Sequence, residues 1–188
     1  MRLWAAFALL WLHQSLALSA QTPEQWQAAA GAIRRLPPDS FPRLPVTIRS
    51  ALSARGCTVP QSFVEGRPHN VISGRFAQAQ QRDWAVLCSR HDSSSVLIFW
   101  GGRGTVHPDE LGWTADAGFL QGIGAGRIGY SHVIAVAAPE RIRAYSAAFG
   151  GLLPKRLDHD GLEDAFAEKA SIVLYLEKGR WLSLTGAD

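Results

Sequence analysis

The strongest constraint on the fold is a change of apolar pattern near residue 70. From there on, β-branched and aromatic residues gather in short runs, and Gly, Asn, Asp and Ser stand between the runs. Short apolar runs separated by turn residues are typical of antiparallel strands. The predicted strands cover residues 70–76, 84–88, 96–100, 132–136, 171–176 and 180–184.

The segment before these strands has helical spacing instead. Thr22 and Pro23 match the N-cap and the first position of a helix, and a second short helix is predicted from Val46 to Gly56. One further helix is predicted to begin at Pro139. Helices first and mostly sequential strands afterwards indicate an α+β fold, with N-terminal helices followed by a mainly antiparallel sheet.

The first 20 residues have the order of a secretory signal peptide. A single basic residue, Arg2, precedes an apolar run over residues 3–12, and small residues gather before Gln21. We predict cleavage after Ala20, with Ser19 as the alternative. An uncleaved membrane anchor is the competing interpretation, but the apolar run is only about half of the ~20 residues that a bilayer span needs.

The predicted mature chain, residues 21–188, has the size of one globular domain. No later segment is apolar enough to span a membrane, so we expect a periplasmic or secreted protein. Removal of the signal takes away only Arg2 among the charged residues, which leaves 18 basic and 16 acidic residues. So small a surplus, spread along the chain, does not indicate a nucleic-acid-binding surface.

The two cysteines, Cys57 and Cys88, are both in the predicted mature chain. In an oxidising compartment an isolated pair predicts a disulfide. The alternative is a reactive or metal-binding thiol, but neither cysteine has a second Cys or a His at ligand spacing.

Several segments are similar to those of uncharacterised exported bacterial proteins. The shared patterns are Gly-Cys-x-x-Pro-Gln at residues 56–61, Gly-x-Phe at 74–76 followed after six residues by Asp-Trp-Ala-Val-Leu-Cys at 83–88, and Asp-His-Asp-Gly at 158–161. The resemblance covers most of the mature chain. It implies export but no activity, cofactor or partner.

The stretch from Gly74 to Leu87 also resembles one unit of FG-GAP-type propeller repeats. Those units carry a Phe, an acidic Ca²⁺-binding loop and an Asp before a strand. Here the loop at residues 77–81 has no acid, and the first acid is Asp83. One unit does not close a propeller, so this resemblance implies neither a propeller nor a cation at the loop.

The densest polar cluster is Asp-His-Asp-Gly-Leu-Glu-Asp at residues 158–164. Its oxygen ligands suit Ca²⁺, which takes six to eight of them, and the same segment with His159 is the best place for a hydrolase or metal-dependent enzyme. The competing interpretation is an Asx turn followed by two acids in the first turn of a short helix, and we favour it. The candidate metal ligands are Asp158, Asp160, Glu163 and Asp164.

The remaining motifs are weaker indications of a binding or catalytic site. Residues 101–129 are rich in glycine and predict little regular structure, and Gly-x-Gly-x-x-Gly at 124–129 lacks the preceding strand and following helix of a dinucleotide loop. Four tryptophans of the mature chain suit either a sugar- or peptide-binding surface or core packing, and core packing is favoured because two of them sit in apolar runs. They are Trp84, Trp100, Trp113 and Trp181.

These observations favour a non-catalytic binding or interaction module over an enzyme. We expect its partner to be a protein, an envelope component or a small-molecule ligand, and we predict no cofactor. The alternative is a small hydrolase or metal-dependent enzyme that uses residues 158–164.

The predicted signal peptide has a direct test. A cell that expresses the full chain should deliver a shortened product to the periplasm or medium, because the apolar run directs export and the small residues permit cleavage. N-terminal sequencing of that product should begin at or near Gln21. Recovery of intact protein from the cytosol would contradict the prediction.

Overall fold

A computed structural model describes residues 21–105 and 107–187, so the predicted signal peptide lies outside the described residues. The described part holds three α-helices and many antiparallel strands, which confirms the mixed α+β class. The helices are α1 (Pro23–Gly31), α2 (Val46–Ala54) and α3 (Pro139–Phe149). Three single-turn 3₁₀ segments lie at Pro38–Ser40, Trp100–Gly102 and Asp116–Phe119.

The strands are numbered in chain order. The first seven are β1 (Arg35–Leu36), β2 (Val59–Pro60), β3 (Val71–Gly74), β4 (Asp83–Arg90), β5 (Ser93–Phe99), β6 (Asp109–Glu110) and β7 (Thr114–Ala115). The other six are β8 (Leu120–Gly122), β9 (Ile128–Tyr130), β10 (His132–Ala137), β11 (Gly161–Phe166), β12 (Ala170–Glu177) and β13 (Arg180–Thr185).

Helix α1 begins where the sequence predicts it. The Thr22 hydroxyl accepts a hydrogen bond from the Gln25 backbone N–H at 3.4 Å, and the Gln25 side chain accepts one from the Thr22 N–H at 2.8 Å. This reciprocal pair is a capping box, which satisfies backbone donors that the first turn leaves free. Pro23 at the first helical position removes another such donor.

Two antiparallel sheets form the centre of the molecule. Sheet I has the order β3-β4-β5-β6, with β7 also paired to β5, and sheet II has the order β10-β11-β12-β13. Two smaller pairs, β1 with β2 and β8 with β9, complete the pairing. The β4–β5 hairpin turns at His91 and Asp92, whose φ angles of 49° and 55° give the left-handed turn that matches strand twist.

The two sheets pack face to face. Alternate residues of each strand point to opposite faces of a sheet, and the inward faces of both sheets share one buried cluster. Its fully buried members from sheet I are Ala85, Leu87 and Ile98, and from sheet II Leu162. Trp100 and Trp181 extend this contact, since their rings stack with centroids 6.0 Å apart.

Helices cover the outer faces of both sheets. Ile48 and Leu52 of α2 are completely buried against the outer face of sheet I, together with Val86 and Phe99. On the outer face of sheet II, Ile142 of α3 packs in a cluster with Val173, Tyr175 and Leu184. The packing order is therefore α2, sheet I, sheet II and α3, while α1 packs separately on β8 and β9.

The segment 74–77, where β3 ends, is held by one aspartate of sheet I and one that immediately precedes sheet II. We call it the junction. The buried Asp83 carboxylate accepts hydrogen bonds from the backbone N–H groups of Phe76 and Ala77, both at 3.0 Å. The Asp160 carboxylate accepts one from the Arg75 N–H at 2.9 Å, and the Asp160 N–H donates to the Arg75 carbonyl at 3.0 Å. Asp83 is the first residue of β4 in sheet I and Asp160 immediately precedes β11 of sheet II, so the junction ties the sheets together.

The predicted disulfide is confirmed. Cys57 and Cys88 are bonded, with Cα atoms 5.2 Å apart. Cys57 follows α2, and Cys88 lies in the centre of sheet I, so the bond attaches the helical layer to that sheet. Both residues are buried in the same apolar cluster.

Two local predictions are wrong. Glu163 and Asp164 do not begin a helix, because they lie in β11, which pairs with β10 on one side and β12 on the other. Pairing on both sides outweighs the helical preference of a local cluster of acids. The glycine-rich stretch 101–129 also contains more structure than predicted, since it supplies the short strands β6 to β9. Its Gly-x-Gly-x-x-Gly segment lies mostly in the β8–β9 turn.

Within the described ranges, we find no helix whose length and apolar character would let it cross a bilayer.

The disulfide should contribute strongly to stability. Replacing both Cys57 and Cys88 with Ser should lower the free energy of unfolding by about 3–4 kcal/mol, because the bond closes a loop of about 30 residues in the unfolded chain. Urea unfolding of both proteins, with and without reductant, measures this difference. Reductant should destabilise the wild type and leave the variant unchanged. A loss below about 1 kcal/mol would contradict the prediction.

Candidate functional site

The four carboxylates proposed as metal ligands do not converge. Asp158 faces His159, whose Nδ1 lies 2.9 Å from the Asp158 carboxylate, and this hydrogen bond lowers the pKa of Asp158. Asp160 forms an ion pair with Arg75 at 3.1 Å, and that carboxylate raises the pKa of Arg75. The first two candidates are thus engaged by different partners, and Asp160 belongs to the junction.

Glu163 and Asp164 point to opposite faces of β11. Glu163 is buried under α3, where it accepts hydrogen bonds from the Tyr145 hydroxyl at 2.9 Å and the Ser171 hydroxyl at 2.8 Å. Burial, with Glu163 close by, raises the pKa of Tyr145. Asp164 contacts His132 Nε2 at 2.7 Å on the other face. Among the described residues, no group of three or more His, Cys, Asp or Glu side chains is placed to hold a metal ion.

His132 and Asp164 form a histidine–carboxylate pair of the kind that hydrolases use. No nucleophilic side chain is hydrogen-bonded to His132 in the described part of the chain. His132 is buried, and its ring stacks on Phe119 with centroids 3.7 Å apart. Its other nitrogen, Nδ1, has no hydrogen-bond partner in the described part of the chain. The neighbouring Ser131 lies between β9 and β10, and its buried hydroxyl has no hydrogen-bond partner among the described residues, so it is not bonded to His132.

A groove of about 590 Å³ opens on the outer face of sheet I, beside the part that α2 covers. We call it the Trp84 groove. Its floor consists of Trp84 on β4 and of Val71 and Ser73 on β3. Ser73 is the register partner of Trp84, so both side chains point to the same face. Trp84 is partly buried: it packs on the apolar cluster beneath it and also lines the groove.

One wall of the groove is the segment 40–44, between the first 3₁₀ turn and α2. Phe41 and Leu44 anchor this segment, since both are buried in the cluster under sheet I. Arg49 of α2 fixes its backbone from behind by donating to the carbonyls of Pro42, at 3.3 Å, and Leu44, at 2.8 Å. Arg43, between those two residues, is left exposed and lines the groove.

The opposite wall is the loop 62–69, which is closed at its base by side chains. Gln61 binds both backbone groups of His69: its carbonyl oxygen accepts from the His69 N–H at 2.9 Å, and its amide donates to the His69 carbonyl at 3.1 Å. His69 Nε2 in turn accepts from the Ser62 N–H at 2.8 Å. The loop is therefore held in shape, and it carries Glu65 and Arg67 to the edge of the groove.

The chemistry of the groove combines a flat apolar floor with charged edges. Arg43 and Arg67 supply two cations from opposite walls, and Glu65 supplies one anion. Pro42 and Pro68 also line it and limit the backbone freedom of the walls. Such a site can hold a ligand that presents an apolar or ring face to Trp84 and a negative group to the arginines.

Sequence reasoning identified Trp84 but not the walls around it. Trp84 and Trp100 were assigned to the core; both are partly buried, and Trp84 also lines the groove. The walls lie in loops without hydrophobic periodicity. They come together only because α2 packs on sheet I, to which β3 belongs. One available signal was Gln61, the last residue of the Gly-Cys-x-x-Pro-Gln pattern, because a buried Gln needs partners.

No protein-family model, curated protein or solved structure matches the chain. Its function is therefore inferred from the chemistry of its own residues.

Proposed function

We propose that this protein is an exported, non-catalytic binding module that holds a flat, carboxylate-bearing ligand in the Trp84 groove. The observation that carries the proposal is a partly buried tryptophan on the floor of a groove whose two walls each present an arginine. The export signal predicted at residues 1–20 supports a place in the periplasm or medium.

Trp84 would supply most of the binding energy. An aromatic face offers a large apolar area that is already fixed by the core beneath it, so little side-chain freedom is lost on binding. Trp84 is anchored in this way, because its strand pairs on both sides, with β3 and with β5. A ligand with a flat ring would bury the remaining exposed indole surface.

The two arginines select for negative charge. Arg43 and Arg67 line the groove from two different segments, and a guanidinium donates in the planar, two-pronged geometry that a carboxylate accepts. Glu65 on the same loop as Arg67 disfavours ligands with several negative charges. The arrangement therefore favours one carboxylate attached to a flat body.

The walls support binding more than catalysis because they are fixed in advance. Gln61 and Ser62 close one wall, and Arg49 fixes the other. A preformed groove reduces the ordering cost of binding. The alternative of a metal-dependent hydrolase at residues 158–164 has less support, since each of its four carboxylates is engaged by another partner.

Small aromatic carboxylates test the proposal without knowledge of the natural ligand. In NMR titrations, 2-naphthoate should shift the Trp84 indole N–H resonance saturably, because its ring fits the indole face and its carboxylate reaches the arginines. The neutral analogue 2-naphthamide should bind at least about fivefold more weakly, as expected for the loss of a charge-assisted pair worth about 1 kcal/mol.

Two variants locate the interaction. Arg43→Gln combined with Arg67→Gln should bring the affinity for naphthoate close to that for naphthamide, and Trp84→Leu should abolish binding of both. Arg127 is an exposed arginine in the β8–β9 turn, so Arg127→Gln is the matched control. This variant should bind both ligands as the wild type does. Equal affinity for acid and amide, or shifts that leave Trp84 unaffected, would contradict the proposal.

A further inference from the structure

Large apolar side chains are concentrated in one exposed segment after α3. Only six large apolar residues of the described chain are exposed, and three of them lie within five positions: Phe149 at 48%, Leu152 at 91% and Leu153 at 43%. We call residues 149–156 the leucine loop. Single exposed apolar residues are common on protein surfaces, but a cluster of them marks a binding surface.

The base of the loop is anchored to α3 and lies against β13. The Ser146 hydroxyl donates to the Gly151 carbonyl at 3.1 Å, which fixes the base of the loop against the end of α3. Gly150 and Gly151 have φ angles of 80° and 116°, which other residues rarely adopt, and a side chain at Gly151 would overlap Thr185 of β13. The backbone therefore requires glycine at residue 151, immediately before the exposed Leu152.

Cations follow the leucines directly. Lys155 is exposed, and the Arg156 side chain is 86% exposed. Arg143 of α3 reaches the same region, where it donates to the Leu157 carbonyl at 3.3 Å. Three acids lie near these cations: Glu140 is 3.9 Å from Arg143, Asp158 is 3.8 Å from Arg156, and Glu177 lies across a hollow from Lys155. The loop itself carries two positive charges and no negative one.

We propose that the leucine loop docks the protein on an anionic lipid membrane, with Leu152 and Leu153 inserted among the acyl chains and Lys155 and Arg156 at the headgroups. Exposed apolar residues with adjacent cations are the combination that binds membrane interfaces. Leu152 and Leu153 also border a hollow of about 630 Å³ between the loop and β13, and the adjacent cations favour an anionic lipid surface over an apolar protein partner. This proposal is independent of the Trp84 groove.

Vesicle co-sedimentation tests the proposal with purified protein. The wild type should bind vesicles of about three parts phosphatidylethanolamine to one part phosphatidylglycerol more tightly than neutral phosphatidylcholine vesicles, and salt should weaken the binding. The double variant Leu152→Asn, Leu153→Asn should lose at least about tenfold in affinity, because it removes the inserted side chains without adding charge. Replacing Lys155 and Arg156 with Gln should lower the affinity for anionic vesicles about fivefold for each charge removed.

A control variant on another exposed surface shows whether the loss of binding is specific to the leucine loop. Val46→Asn changes a side chain that is 64% exposed on α2, and it should leave vesicle binding unchanged. Unchanged melting temperatures in all variants would confirm that the losses are not due to unfolding. The proposal is overturned if the wild type does not bind anionic vesicles at low salt, or if the leucine variant binds as well as the wild type. Concentration-dependent self-association that disappears in the leucine variant, without vesicle binding, would identify a protein interface instead.

Discussion

The arrangement of the two sheets depends on the junction at residues 74–77. A turn of this kind leaves backbone N–H groups without partners, and buried donors without partners are costly. Asp83 of sheet I and Asp160, which immediately precedes β11 of sheet II, supply those partners. Asp83 also accepts from the Gly101 N–H at 2.8 Å, so it joins the ends of three segments. These contacts fix where β3 ends and how β11 approaches it.

The geometry of the Trp84 groove follows from this constraint. The junction begins at the residue after Ser73, and Asp83 precedes Trp84, so the same carboxylate that satisfies the turn fixes both strands of the groove floor. Asn70 fixes the other end of β3, because its side chain binds the His132 carbonyl and the Ile134 N–H of sheet II, both at 3.0 Å. The disulfide then attaches the helical layer, which carries one wall of the groove, to sheet I.

Local chemistry made part of this structure predictable from the sequence. The capping box at Thr22, the hairpin ending at β13 and the disulfide follow from short-range patterns or from a single pair of residues. The β11 strand was mistaken for a helix because Glu163 and Asp164 form an acid-rich local pattern, whereas their partners, Tyr145 and His132, are distant in sequence. The groove was missed for the same reason, since its walls meet only in the folded chain.

A double-mutant cycle on the two junction aspartates tests most directly whether the junction organises both sheets. Asp83→Asn and Asp160→Asn should each lower the free energy of unfolding by about 1–3 kcal/mol, because each replaces a carboxylate that accepts hydrogen bonds from the junction backbone with an amide. Asp109 is exposed, so the control variant Asp109→Asn should leave the free energy of unfolding unchanged. The two losses should differ from additivity by more than about 0.5 kcal/mol, because both carboxylates hold one turn. Additive losses, or single variants as stable as the wild type, would contradict a shared junction.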